Sequence, residues 1–281
     1  IMILIADSGS TKCNWAACNK EGNVIKKYKT IGFHPYFITE KEILEELNSS
    51  GLKNLKEEIT AVFFYGAGCS SKELNQIIKN PFKDFFLNAK VNIYHDLNAA
   101  CYSMYDGDPA IICILGTGSN SCLFDGKQIY QHAPALGFIL GDEASGNYFG
   151  RKIINLYFNN QLDYKLRSIY EKKYKTDIVT IKSNVYNNSR PNAFLANFFP
   201  FVSENKKHPQ IQKIISDALN IFFTLHIKCF ENYKDMKIHF IGSVAFFLKD
   251  EILKVSKNHK CNIGNIVRDP LEKLIHYHFN I

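Results

Sequence analysis

The sequence predicts an α/β protein made of two similar domains facing each other. Three observations carry this. A strand, a polar glycine-bearing turn, a strand, a hairpin turn and a strand open the chain, and the same series returns about 110 residues later. Short apolar runs of strand length alternate with longer segments of helical spacing. The 281 residues, 46% of them hydrophobic, suffice for two cores, and a charged fraction of 22% excludes a disordered chain.

In the first series Met2–Ala6 is an apolar strand and Asp7–Lys12 a polar turn. Cys13–Asn19 and Val24–Thr30 are two further strands, parted by the turn residues Glu21-Gly22. Ile31–Thr39 is a loop containing Pro35, and Thr39 is the N-cap of a helix over Glu40–Leu47. Ile59–Tyr65 reads as a buried strand and Ser71–Leu87 as a helix broken at Pro81. Val91–Tyr94 is a strand and Asp96–Tyr105 a helix starting at its end. The cluster Asp106-Gly107-Asp108-Pro109 marks a boundary, giving domains over 1–108 and 109–269, with a closing helix, 270–281, packing back onto the first.

The second series has Ala110–Leu115, the turn Gly116–Ser119, Asn120–Phe124, the hairpin Asp125-Gly126 and Lys127–Tyr130. From Asp142 to Cys229 the chain is mainly helical, with loops near 187–191 and 206–209. Lys237–Ile241 is a late strand ending in Gly242-Ser243, followed by a helix over Ala245–Val255.

The formal charge is +7, but basic pairs such as Lys26-Lys27 and Lys206-Lys207 are scattered, with no basic stripe interleaved with aromatics. Nucleic acid is therefore not an expected partner. There is no signal peptide and no apolar run of transmembrane length, so no membrane role is expected. None of the eight cysteines forms CxxC. Free, reduced thiols and a cytoplasmic location follow as expectations.

Two turns carry the chemistry. In Asp7-Ser8-Gly9-Ser10-Thr11-Lys12, Gly9 lets a backbone approach a phosphate, and Ser8, Ser10 and Thr11 offer hydroxyls. Lys12 adds charge, and Asp7 could hold Mg²⁺ through water. The same residues also suit an ordinary hairpin turn. Leu115-Gly116-Thr117-Gly118-Ser119-Asn120-Ser121 has equivalent content at the equivalent place in the second series. Two such turns can grip a triphosphate from both sides. Neither is a Walker A loop or a dinucleotide fingerprint. Asp96, where a strand enters a helix, reads either as a helix N-cap or as a functional carboxylate at a sheet rim. Asp142-Glu143 read as acids favouring a helix start or as hydroxyl acceptors. Gly242-Ser243 reads as a plain strand-to-helix turn or as a seat for a flat base.

The pair Asp-x-Gly-x-Thr and Gly-Thr-Gly-Ser resembles the phosphate-1 and phosphate-2 signature of the actin, Hsp70 and sugar-kinase superfamily. Leu136–Gly146, containing Gly-Asp-Glu-Ala-Ser-Gly, is similar to the signature of N-acetylglucosamine kinases in the BadF/BadG/BcrA/BcrD ATPase family. The resemblance runs from Asp7 to Ser243. It implies two RNase H-like (actin-like ATPase) domains with a nucleotide cleft between them, and transfer of phosphate from Mg-ATP to an amino sugar, N-acetylglucosamine first, at O6. It implies Asp96 as general base, nucleotide contacts from Ser8 to Lys12, Gly116, Thr117, Gly118, Gly242 and Ser243, and sugar contacts at Ser119, Asn120, Gly137 and Asp142, with Ala135 lining the same pocket.

Two positions depart from the family pattern. His34, in Gly32-Phe33-His34-Pro35-Tyr36, stands where related kinases carry a sugar-binding asparagine, and Lys273 stands where the family has glycine. Three alternatives remain open: a kinase for N-acetylmuramic acid or glucosamine, an ATPase activating an acyl-CoA reductase through an iron–sulfur cluster, and a non-catalytic sugar sensor. The oligomeric state is also open, a homodimer included.

Overall fold

The computed structural model describes residues 2–279. It divides into two compact units, Ile1–Tyr105 with Asp269–Ile281, and Asp106–Arg268. In the first unit β1 (Met2–Ser8), β2 (Lys12–Cys18), β3 (Val24–Ile31), α1 (Glu40–Ser49), β4 (Ile59–Gly66), α2 (Lys72–Phe85), β5 (Lys90–His95) and α3 (Asp96–Met104) follow in order. The sheet runs β3-β2-β1-β4-β5. β2 is antiparallel to β1 and β3, whereas β4 is parallel to β1 and β5.

Strand side chains alternate between faces, and both faces here are apolar and covered. Leu4, Ala6, Trp15, Val62 and Phe64 join Ile43 of α1 and Phe82 of α2 in one core. Ile5, Ala16, Cys18 and Tyr65 face the other, closed by Ala99 of α3 and by Leu271, Leu274 and Ile275 of the closing helix Leu271–Phe279. Residues 280 and 281 of the expected closing helix lie outside the described residues. Buried Trp15 keeps its indole satisfied by donating Nε1–H to Thr30 Oγ1 at 2.9 Å. Thr39 caps α1 in a reciprocal box with Glu42. α2 passes unbroken through Pro81, contrary to the expected break. The missing N–H costs about 3 kcal/mol, but Ile78, Pro81, Phe82 and Phe85 form one buried stripe whose packing holds the helix.

The second unit contains β6 (Ala110–Leu115), β7 (Ser119–Phe124), β8 (Ile129–Tyr130), α4 (Gly137–Leu140), α5 (Gly146–Phe158), α6 (Tyr164–Lys173), α7 (Ile178–Tyr186), α8 (Pro191–Ala196), α9 (Phe199–Glu204), α10 (Pro209–Phe222), β9 (Lys237–Ile241), α11 (Ser243–Phe247), α12 (Lys249–His259) and β10 (Asn262–Val267). Its sheet runs β10-β9-β6-β7-β8, with β7 antiparallel to β6 and β8, and β9 parallel to β6 and β10. This is the order of the first sheet strand for strand. The duplication read in the sequence is a duplication of RNase H-like topology. Asp106 ties the inter-unit turn to this unit by an ion pair with Lys237 at 2.8 Å.

In this second unit three features differ from expectation. β10 was not foreseen, because Asn262, Gly264 and Asn265 give it little strand propensity; β9 recruits it as an edge strand. The expected helix over Ala245–Val255 is two helices, parted at Leu248, which is buried and not helical on the α11 side. A π-helical turn over Phe223–Ile227 follows α10, marked by the Lys228 N–H donating to the Phe223 carbonyl at 3.0 Å.

Candidate active site

In the first unit the pleat decides which groups converge. Ile3, Ile5 and Asp7 alternate with Leu4 and Ala6, so Asp7 faces the side covered by α3 and the closing helix. Asn14 pairs with Asp7 across β1 and β2, and its amide donates to Asp269 Oδ2 at 2.6 Å. Asp269 Oδ1 in turn accepts the Leu271 N–H at 2.9 Å at the head of the closing helix. Burial pushes the Asp7 carboxyl up to about 8, and the charges of Asp269 and Asp96 push the same way, against Lys12. Three carboxylates that repel one another form a field that a cation relieves. Among the described residues no three His, Cys, Asp or Glu side chains stand close enough to ligate an ion directly. Carboxylates of this kind are the donors through which a hydrated Mg²⁺ could be held by way of water. Asn14 and Asp269 escaped the sequence reading.

Asp96 is the first residue of α3, not its N-cap. The cap is His95, whose Nδ1 lies 3.2 Å from the Leu97 N–H. The N-cap reading of Asp96 is thereby corrected. His95 Nδ1 also lies 2.9 Å from Asp96 Oδ1. Burial works against the imidazolium, but the charge and hydrogen bond of Asp96 outweigh it and hold the His95 pKa above its ordinary value.

Ser8, Gly9, Ser10, Thr11 and Lys12 form the β1–β2 turn, with the Gly9 N–H donating to the Lys12 carbonyl at 3.0 Å. Gly9, Thr11 and Lys12 are exposed, Ser8 and Ser10 buried. The turn is joined to the loop bearing His34: Phe33 N–H donates to Ser8 Oγ at 2.9 Å and Gly32 N–H to the Thr11 carbonyl at 3.1 Å. A Cβ on Gly32 would sit 2.0 Å from the Gly9 carbonyl oxygen, so only glycine allows this approach. The His34 ring packs on Phe37 at 4.8 Å.

In the second unit the Gly116–Gly118 turn is closed by the Gly116 N–H donating to the Gly118 carbonyl at 2.9 Å. The head of α5 holds it: Gly146 N–H donates to the Gly116 carbonyl and Asn147 N–H to the Thr117 carbonyl, at 2.8 and 3.0 Å. Asp142 accepts from the Ser119 N–H at 3.0 Å and from Asn147 Nδ2 at 2.6 Å. A Cβ on Gly118 would fall 2.9 Å from the Asp142 carboxylate. Burial raises the Asp142 pKa, opposed by these hydrogen bonds and by Arg151. Asp142 and Glu143 do not start a helix. Ser145 caps α5, and Asp142 and Ala144 take left-handed backbone, φ 57° each. The helix-start reading is corrected accordingly. Gly242, at φ 121°, lies against this turn, since a Cβ there would meet the Leu115 carbonyl oxygen at 2.2 Å; Ser243 opens α11 beside it. Ser119 Oγ is buried with no protein partner among the described residues. Asn120 Oδ1 accepts from Gln131 Nε2 at 2.8 Å. Gly137, at φ 72°, opens the short α4. Thus Gly116–Asn120, Asp142, Gly242 and Ser243 gather at one end of the second sheet, with Asn147 as the partner that sequence reasoning missed.

All eight cysteines are free thiols, six of them buried. Among the described residues no helix is long and apolar enough to cross a membrane.

The sequence model of the BadF/BadG/BcrA/BcrD ATPase family matches residues 6–245. No curated protein matches the chain. Among solved structures, a provisionally named N-acetylglucosamine kinase from Porphyromonas gingivalis is 34% identical, covers 99% of each chain and superimposes with a TM-score of 0.91. A second, from Chromobacterium violaceum, is 14% identical over 98% of each chain, at a TM-score of 0.72. A ROK family glucokinase from Streptomyces griseus, solved with glucose and AMPPNP, is 13% identical over 99% of this chain and 98% of its own, at 0.64.

Proposed function

Because the chain belongs to the BadF/BadG/BcrA/BcrD ATPase family, we propose that it is an ATP-dependent sugar kinase acting on an amino sugar, N-acetylglucosamine first. One observation carries this reading most: Asp142, a carboxylate of the kind that can accept from sugar hydroxyls, is bonded directly to the Ser119 N–H at the end of a phosphate-type turn. Sugar contact and phosphate contact thereby share one rigid frame. The 34% identity to the Porphyromonas gingivalis protein over 99% of both chains supports the same substrate class.

In this reading the backbone and hydroxyls of Ser8–Thr11, with the Lys12 charge, and the Gly116–Gly118 turn hold the phosphates of ATP, while Gly242 and Ser243 seat its base. Asp142, Asn120 and Ser119 orient the sugar, with Gly137 and His34 beside it. The sugar oxygen forms a bond to the γ-phosphorus as the bond from that phosphorus to the bridging oxygen of ADP breaks. The hydroxyl proton passes to the Asp96 carboxylate, a contribution of about 10²–10⁴-fold. Asp7 would hold Mg²⁺ through water, and that ion would supply positive charge to the transferring phosphate. Coupled ADP release across a panel of sugars tests the proposal; release with no sugar in the panel above the hydrolysis background contradicts it.

His34 supports one second reading. An imidazole in place of an amide can pair with the carboxylate of a lactyl-bearing sugar such as N-acetylmuramic acid.

A further inference from the structure

The turn that carries Asp142 stands in a backbone conformation that its residues do not favour. Asp142 and Ala144, on either side of Glu143, both have φ 57°, a region L residues rarely adopt. Such a turn persists only where its surroundings over-determine it. The Glu143 carboxylate reaches the imidazole of His226, with Oε2 and Nε2 3.0 Å apart. A carboxylate only accepts, so Nε2 carries the proton. His226 is 4% exposed and lies in the π-helical turn Phe223–Ile227. Its ring stacks on Phe222 at 4.8 Å and 16°. Phe222, Phe223, Ile227 and Phe230 are all buried in the core of the second unit, so the ring is fixed. Just past the π-helical turn, the Cys229 carbonyl accepts from His132 Nδ1 at 3.3 Å, and the His132 ring stacks on Phe230 at 4.9 Å.

We propose that His226 is a positioning residue, which through Glu143 locks the left-handed turn Asp142–Ala144 and so aims the Asp142 carboxylate. The consequence for sugar rests on the kinase reading above; the consequence for the turn does not. The wide π-helical turn sets the imidazole at the distance Glu143 requires, a common use of such turns near functional sites. A buried hydrogen-bonded pair of this kind orients rather than reacts: the hydrogen bond of His226 runs to Glu143, not to a group of the phosphate turns.

The test compares His226→Leu with His226→Gln, whose amide nitrogen can still donate to Glu143. Hydrogen exchange of the segment 136–146 reads the turn itself, whatever the substrate. In His226→Leu this segment should exchange about tenfold or more faster while β6 and β7 keep their protection, and His226→Gln should restore it. With N-acetylglucosamine, KM for the sugar should rise about tenfold or more in His226→Leu, with KM for ATP within about twofold. Should His226→Leu not fold, Glu143→Ala, which leaves the imidazole in place, carries the same exchange measurement. Wild-type exchange over 136–146 in the leucine or alanine variant overturns the proposal. Faster exchange with no sugar turnover even in the wild type upholds the positioning role and sinks the kinase reading instead.

Discussion

His95 Nδ1 lies 2.9 Å from Asp96 Oδ1 and 3.2 Å from the Leu97 N–H. One nitrogen cannot donate to a carboxylate and accept from an amide at once. A protonated His95 therefore pairs with Asp96, and a neutral one is free to cap α3. The pair lies beside Asp7, whose raised pKa records the Asp96 charge. The base expected to start phosphoryl transfer is thus linked to a titrating neighbour.

The first prediction follows from that link. Burial opposes the charge on His95, but Asp96 raises its pKa above 6.5. While protonated, His95 holds the Asp96 carboxylate in a close pair that an incoming hydroxyl must displace. Sugar phosphorylation should rise with pH through the raised His95 value, and His95→Gln should flatten that limb. The stability sign is opposite. A raised histidine pKa contributes stability that is full below 6.5 and lost as pH rises through the folded value. Melting curves of His95→Gln should then show a larger loss at pH 5.5 than at pH 8.5. An identical pH–rate limb in variant and wild type contradicts the coupling.

Thr11→Val and Thr117→Val should each raise KM for ATP. Both turns keep their backbone bonds: the Thr11 carbonyl accepts from Gly32 and the Thr117 carbonyl from Asn147. Melting temperatures should stay within about 2 °C of wild type. Unchanged ATP kinetics in both variants would remove these hydroxyls from the site.

Asp142→Ala should raise the sugar KM about tenfold or more and also lower the melting temperature, because it deletes the acceptor for Ser119 and Asn147 and leaves alanine at φ 57°. Asp142→Asn separates the two effects. Asparagine tolerates left-handed backbone and keeps one oxygen to accept from Ser119 or Asn147, so this variant should lose less melting temperature than Asp142→Ala and still bind sugar poorly. A normal sugar KM in Asp142→Asn would make Asp142 purely structural.

The sugar panel tests specificity. N-acetylglucosamine should be used at least about tenfold better than glucose, which leaves groups meant for the acetamido unpaired. Preference for N-acetylmuramic acid that fades from pH 6 to pH 8, and vanishes in His34→Asn, would establish the lactyl-sugar reading. Preference for glucose would refute both.

Much of this was legible in the residues. The repeated strand-turn-strand series announced the duplicated sheets, because glycine and hydroxyl residues between apolar runs have few other uses. β10 was not legible, since pairing with β9 overrides its poor propensity. Nor was the passage of α2 through Pro81, decided by packing rather than by local preference. As candidate site residues, Asp7, Asp96 and Asp142 stood out because each sits in a dense motif. His226, Asn147 and Asp269 were not. They come from 83, 5 and 255 positions away from Glu143, Asp142 and Asn14, and Asn147 sits in helical sequence that gives no sign of a side chain turned back on the preceding turn.

In the proposed reaction Asp96 takes the hydroxyl proton as phosphate moves from ATP to the sugar. Single-turnover phosphorylation of N-acetylglucosamine by Asp96→Asn, with ATP affinity measured on the same sample, isolates that role. The substitution keeps shape and removes the proton acceptor. The rate should fall by at least about 10²-fold, with ATP affinity within about threefold of wild type. A rate within about threefold of wild type would contradict it.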